Sequence, residues 1–125
     1  MIESLSAAIV VTRNVEGVAR FYRDVLGVPL ESEQHRGGGE VLHFGCMLGA
    51  THFAVHPVDN WPGAEETGPG GMRLAFDVGD AGGEAERLRG LGVPAVGPLE
   101  MGWAKRVLLR DPDGNLVELV QMRRR

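Results

Sequence analysis

Only one cysteine, Cys46, stands among the 125 residues. An intrachain disulfide is excluded, and a cytoplasmic protein is the simplest expectation. Positive charge is in short supply. The formal net charge is -4, which argues against nucleic acid as a partner. The one basic run, Arg123-Arg124-Arg125, reads as a solvated chain end. No apolar run approaches the ~20 residues that a membrane helix needs. No basic segment of the kind that opens a secretory leader surrounds Glu3. Apolar content, by contrast, is ample. Hydrophobic residues make up 43%, enough for a packed core in a chain the length of one domain. Cys46 is expected where a strand ends, as a plain buried thiol rather than a nucleophile.

A phrase that occurs twice organises the chain. Leu26-Gly27-Val28-Pro29 and Leu91-Gly92-Val93-Pro94 each close an apolar helical period and each precede a strand-like run. One supersecondary unit is therefore used twice. In the first copy, Ala7 to Thr12 reads as a strand and Asn14 as an N-cap. Val15, Val18, Ala19, Tyr22, Val25 and Leu26 then form one buried helical stripe. Strands are expected over Pro29 to Gln34, Glu40 to Gly45 and Thr51 to His56, with a turn at Gly37-Gly38-Gly39. In the second copy, Met72 to Val78 is a strand, Asp80 an N-cap, and Ala81, Ala85, Leu88 and Leu91 a weaker helical stripe. Strands follow over Ala95 to Gly97, Lys105 to Arg110 and Asn115 to Gln121. Asp111-Pro112-Asp113-Gly114 is the hairpin turn between the last two.

Each unit thus reads βαβββ. The expected fold is α+β, a single domain of two tandem modules over roughly 4–57 and 71–122, joined by a linker rich in proline, glycine and acids over roughly 58–70. Within each strand the bulkier apolar residues share one face, which is expected to cover the helix. The opposite face is smaller and more polar: His43 on one strand, His52, Ala54 and His56 on the next, and Arg73, Ala75 and Asp77 in the second unit. Two such sheets, curled towards each other, would enclose one cleft.

Paired βαβββ units resemble the vicinal oxygen chelate superfamily, which contains glyoxalase I, bleomycin-resistance proteins and extradiol dioxygenases. The resemblance is carried by Val18-Ala19-Arg20-Phe21-Tyr22-Arg23-Asp24-Val25-Leu26-Gly27, by Leu74-Ala75-Phe76-Asp77-Val78 and by Asp111-Pro112-Asp113-Gly114-Asn115-Leu116-Val117-Glu118-Leu119. It implies a curled mixed sheet around a cleft. In the family's enzymes it also implies a divalent metal, held by inward side chains at equivalent positions of the first and last strands of each unit. The repeat and strand parity place those positions at Ala7, Ala54, Arg73 and Glu118. A metal enzyme would carry His, Gln or Glu there, and only Glu118 can ligate. Alanine has no donor, and arginine is a permanent cation. One carboxylate falls short of the roughly three protein ligands of a catalytic ion, so the resemblance implies a metal site that has been dismantled. No cofactor is expected. A divalent metal would need Glu118 with His43, His52 or His56, an N/O set suited to Zn, Ni or Fe. His52 and His56 lie about 13 Å apart along one strand, too far to share an ion without bending. Otherwise these histidines serve a polar pocket or its rim.

Arg73 and Glu118 are expected to be neighbours. A buried salt bridge would fill the former metal position, and the guanidinium fork could also meet a ligand carboxylate, phosphate or enolate oxygen. Arg73 would lower the pKa of Glu118 and weaken it as a general base. Trp61 in the linker and Trp103 before Lys105 are candidates for stacking on a flat ligand. Three functional readings follow: a metal-free pocket that sequesters an aromatic or anionic small molecule; a metal-dependent lyase, isomerase or dioxygenase with an unusual ligand set; and a metal-free enzyme using Arg73 and Glu118 for proton transfer. The resemblance further implies a homodimer, with modules paired within a chain or exchanged between two.

Overall fold

The chain begins its regular structure with β1, Ala7–Thr12, followed by helix α1, Val15–Arg20, and strands β2, Glu31–Glu33, β3, His43–Leu48, and β4, Thr51–Pro57. The second copy runs β5, Arg73–Asp77, α2, Ala81–Gly90, β6, Val96–Met101, β7, Ala104–Arg110, and β8, Leu116–Met122. This computed structural model describes residues 1–33, 43–58 and 72–122. The glycine turn 37–39, nearly all of the linker and the arginine tail 123–125 lie outside the described residues. The chain divides into two compact units, Met1–Pro69 and Gly70–Arg125. The βαβββ order expected from the repeat is present in both, and the fold is α+β.

Each unit builds one four-stranded mixed sheet. The orders are β1-β4-β3-β2 and β5-β8-β7-β6, with the first strand parallel to the last. In the first unit Val10, Phe44, Phe53 and Val55 are buried on the side where Tyr22 meets Phe53 edge-on, with ring centroids 5.2 Å apart. In the second unit Val107, Leu109, Val117 and Leu119 are buried together with Ala81, Ala85 and Leu88 of α2. Strand parity read from sequence places these strand residues on the helix-covered face, and His43, Ala54 and His56 on the opposite face are buried as well. Leu91 departs from the expected stripe. It is the C-cap of α2 and is exposed.

The two copies of Leu-Gly-Val-Pro end their helices differently. In the second, the Val93 N–H donates to the Leu88 carbonyl at 2.9 Å and the Gly92 N–H to the Arg89 carbonyl at 3.0 Å. That is the paired closure of a helix stopped by a left-handed glycine, and Gly92 has φ +78°. In the first, α1 passes into a π-helical turn, Phe21–Val25. There the Leu26 N–H reaches Phe21 and the Val28 N–H reaches Tyr22, at 3.1 and 2.8 Å. Gly27 follows its N-cap Asn14 by thirteen positions, whereas Gly92 follows Asp80 by twelve. The wider turn absorbs the extra residue while Tyr22 stays buried.

Both expected N-caps form. Asn14 Oδ1 accepts from the Gly17 N–H and Asp80 Oδ1 from the Gly83 N–H, each at 3.1 Å. Asp80→Ala should cost about 1 kcal/mol, read as a lower urea midpoint. An unchanged midpoint would mean that the cap contributes nothing to the second unit. The hairpin turn is also as expected. Asp111, buried, accepts from the Asp113 and Asn115 N–H groups at 2.9 Å each and from Asn115 Nδ2 at 2.8 Å. Asn115 Oδ1 in turn takes the Met72 N–H at 3.0 Å. The most family-like segment therefore works largely as structure: it ties the β7–β8 turn to the start of β5.

Strand boundaries differ from expectation most at the ends of β3 and β6. β3 continues past Gly45 to Leu48, which puts Cys46 inside a strand rather than at its end. The strand runs on because its pairing with β4 continues from Phe44 to Leu48. β6 extends through Pro98 to Met101. It is an edge strand, and its register with β7 shifts between Val96 and Leu99. An edge position with a bulge is where a strand tolerates proline.

Candidate functional site

In the second unit the open face of the sheet carries a three-residue ion cluster. The pairing sets Arg73 beside Leu116, Ala75 beside Glu118, and Arg106 beside Val120. Arg73 Nε donates to Glu118 Oε2 at 2.7 Å. Arg106 Nε donates to Glu118 Oε1 at 2.7 Å, and Arg106 Nη2 reaches the same oxygen. Hydrogen bonding from Arg73 holds the Glu118 carboxyl below the usual carboxylate range. Burial opposes this and Arg106 reinforces it. Glu118 is therefore an ionised acceptor with both oxygens committed, a poor general base. The expected Arg73–Glu118 pair is present, with one correction. It is not a buried pair: Glu118 is buried, but the Arg73 side chain is 59% exposed.

Arg106 was not among the residues singled out from sequence, although the signal was there. Counting back along β7 and forward along β8 from the Asp111–Gly114 turn pairs Leu108 with Glu118. That puts Arg106 on the same face as Glu118, one cross-strand row along. What could not be read off was which way the long side chain turns.

The first unit holds Ala7, Ala54 and the three histidine candidates. β1 pairs with β4 through Ala7↔His52 and Ile9↔Ala54. Ala54 thus lies two residues past the partner of Ala7, just as Glu118 lies two past Leu116, the partner of Arg73. His43 and His56 are buried and stacked, with ring centroids 4.2 Å apart and 13° between planes. Stacked rings align their nitrogen lone pairs side by side rather than towards one point. His52 is only part-buried and meets Glu33 instead: its Nε2 lies 3.3 Å from Glu33 Oε1, and His43 Nε2 lies 3.8 Å from the same oxygen. Glu33 was also missed. Its sequence signal is Gly45, a glycine inside a strand, where another group approaches closely. A Cβ at Gly45 would stand 1.8 Å from Glu33 Oε1 and 2.8 Å from His52 Nε2.

The remaining candidates play smaller parts. Trp103 lies in the β6–β7 turn and is exposed. Trp61 lies outside the described residues. Burial, followed by the carboxylates of Glu33 and Glu31, pushes the Cys46 thiol up, which favours the unreactive protonated form.

The four positions that the family's chemistry would use do not fit a divalent ion. Ala7 and Ala54 offer no donor, and Glu118 has both oxygens taken by guanidiniums, one from Arg73 itself. Among the described residues, no group of three or more His, Cys, Asp or Glu side chains is arranged to hold a metal. None of the described helices is long and apolar enough to cross a membrane.

Solved structures share this fold over nearly the whole chain. TnmS3, an antibiotic binding protein from Streptomyces sp. CB03234, is 27% identical, with a TM-score of 0.77 and 98% of each chain covered. A glyoxalase/bleomycin resistance protein from the same Streptomyces is 27% identical, with a TM-score of 0.70, over 93% of this chain and 98% of that one. A virulence protein from Salmonella typhimurium is 21% identical, with a TM-score of 0.75, over 98% and 99%. None of the curated proteins matches the chain significantly. The model of one family matches residues 4–119. By that match the chain belongs to the Glyoxalase/Bleomycin resistance protein/Dioxygenase superfamily.

Proposed function

We propose that the chain is a metal-independent small-molecule binding protein of the glyoxalase/bleomycin-resistance type, which sequesters an aromatic or anionic compound. One observation carries the reading. At the position where the family would hold an ion, Glu118 is clamped by Arg73 and Arg106. A dication there would have to displace two guanidiniums from the one available carboxylate and would gain a single ligand in return. The similarity to TnmS3, named an antibiotic binding protein, supports binding rather than turnover. The ionised, doubly bonded Glu118 likewise disfavours proton transfer. A cytoplasmic homodimer completes the proposal, and light scattering of the purified protein tests its dimer part.

The discriminating experiment uses protein purified without a histidine tag. Metal analysis should return far less than one equivalent. A thermal-shift screen against aromatic antibiotics, catechols and glutathione adducts should find a ligand that raises the melting temperature equally with and without a chelator. Near-stoichiometric metal that disappears in Glu118→Ala, or a ligand shift abolished by the chelator, would overturn the proposal. Either result would favour the metal-dependent lyase, isomerase or dioxygenase reading.

A further inference from the structure

At the β6 side of the second unit's sheet, one residue row from the ion cluster, lies a feature that the clamp does not use. It is an apolar hollow of about 380 Å³ lined by Pro94, Val96, Leu108, Leu109, Arg110 and Leu116. The register explains it. Val96 pairs with Leu108 and Leu108 with Glu118, while Arg110 pairs with Leu116 and Leu116 with Arg73. Paired residues in adjacent strands share a face, so two cross-strand rows lie side by side. One runs Val96, Leu108, Glu118; the other runs Arg110, Leu116, Arg73. The apolar side chains form the floor, and a guanidinium stands on each side of Leu116.

Neither guanidinium is used up by the fold. The Arg73 side chain bonds Glu118 through Nε and is largely exposed. Arg110 donates Nη1 to the Gly114 carbonyl at 3.0 Å and is otherwise exposed. Charged groups sharing this face are Arg73, Arg106 and Arg110 against Glu118 and Asp77. One net positive charge remains. Asp77 stands opposite Val120, two rows from the Arg110–Leu116–Arg73 row. The local field at the hollow is therefore positive over an apolar floor.

We infer that this hollow binds a small aromatic or branched apolar carboxylate, its hydrocarbon body on Val96, Leu108 and Leu116 and its anion held by Arg110 and Arg73. The inference rests on the metal-free binding reading and names the ligand class for it. A planar guanidinium fork matches a carboxylate in two parallel hydrogen bonds. A floor with no polar side chain gives no return for a ligand's own polar groups. Charge and surface together select an amphiphilic anion over a neutral aromatic or a polar anion such as phosphate.

Fluorescence titration with 2-naphthoate, against the neutral isostere 2-naphthylmethanol, tests this directly. Naphthoate should bind at least about tenfold more tightly, and its affinity should fall as salt rises. Arg110→Ala should lower naphthoate affinity about tenfold while leaving naphthylmethanol unchanged, and Arg110→Lys should recover part of the loss. Leu116→Glu should abolish naphthoate binding, and a circular-dichroism melt confirms that each variant is folded. Equal affinity for the two probes, or naphthoate binding indifferent to Arg110→Ala, would overturn the inference. Arg110 lies outside the Glu118 clamp, so the two readings fail separately. A metal-free ligand found elsewhere, with no naphthoate bound here, removes this inference alone. Metal-dependent binding removes the functional proposal.

Discussion

Glu118→Ala is expected to destabilise the protein by about 2–3 kcal/mol. The substitution removes a buried carboxylate and takes from Arg73 and Arg106 the charge partner that they share. Arg106 suffers more, since its side chain is 18% exposed against 59% for Arg73. Water partly re-solvates Arg73, which keeps the loss at the lower end of what breaking a buried pair costs. Glu118→Gln should lie between wild type and alanine, because the amide oxygen still accepts one bond. Replacing Arg73, Arg106 and Glu118 together by leucine should recover most of the stability, because no orphan charge remains. The measurement is the urea midpoint at neutral pH. A midpoint unchanged in Glu118→Ala would mean that the clamp is not formed in solution.

The same cluster sets an acid sensitivity. The folded-state pKa of Glu118 is held below its unfolded value, chiefly by the hydrogen bond from Arg73. Its stabilisation is therefore fully present above the unfolded pKa of about 4.3 and is lost as pH falls through the lower folded value. The stability gap between wild type and Glu118→Gln should stay constant from neutral pH to about pH 5 and close at more acid pH. A gap independent of pH down to pH 3 would contradict the ionised clamp.

Gly97→Ala is the second large effect, expected at about 3 kcal/mol. Gly97 has φ +120°, a backbone region that side chains rarely tolerate. A Cβ there would stand 2.6 Å from the Arg106 carbonyl oxygen and 3.0 Å from the Leu99 nitrogen. Both are backbone atoms, and relief of the closer contact requires β6 to move away from β7. The strand that moves carries Val96, one wall of the apolar hollow, and the strand it leaves carries Arg106, half of the clamp on Glu118. Naphthoate affinity should therefore drop along with the urea midpoint. Gly102→Ala, in the following turn, meets nothing within 4 Å and should stay within about 0.5 kcal/mol of wild type. Equal behaviour of the two variants would mean that the β6–β7 approach is looser than described.

Much of the fold was legible in the sequence because its signals are local. The helix caps Asn14 and Asp80, the glycine stops Gly27 and Gly92, and the Asp111–Gly114 hairpin are each set within a few residues. Each forms as read. Period-two alternation sorted Phe53 and Val55 from His52, Ala54 and His56, since side-chain parity is a property of the strand alone. Where reading ran past its range, the errors were also local. Gly45 looked like a strand end and is a strand interior; Leu91 looked like core and is an exposed cap.

The candidate site was legible only in outline. The repeat brought Arg73 and Glu118 together because equivalent positions of two copies share a register. Parity cannot show where a flexible side chain ends, so Arg106 on Glu118 and Glu33 over Gly45 emerged only from the packed sheets. The sequence by itself determined a twice-used βαβββ unit, its two faces and the absence of metal donors at Ala7, Ala54 and Arg73. Tertiary structure alone decided that two arginines close on one carboxylate, that His43 stacks on His56, and that an apolar hollow opens beside Leu116. The division is physical. Backbone geometry follows from neighbours along the chain, whereas long side chains settle wherever charge, space and burial across several strands leave them.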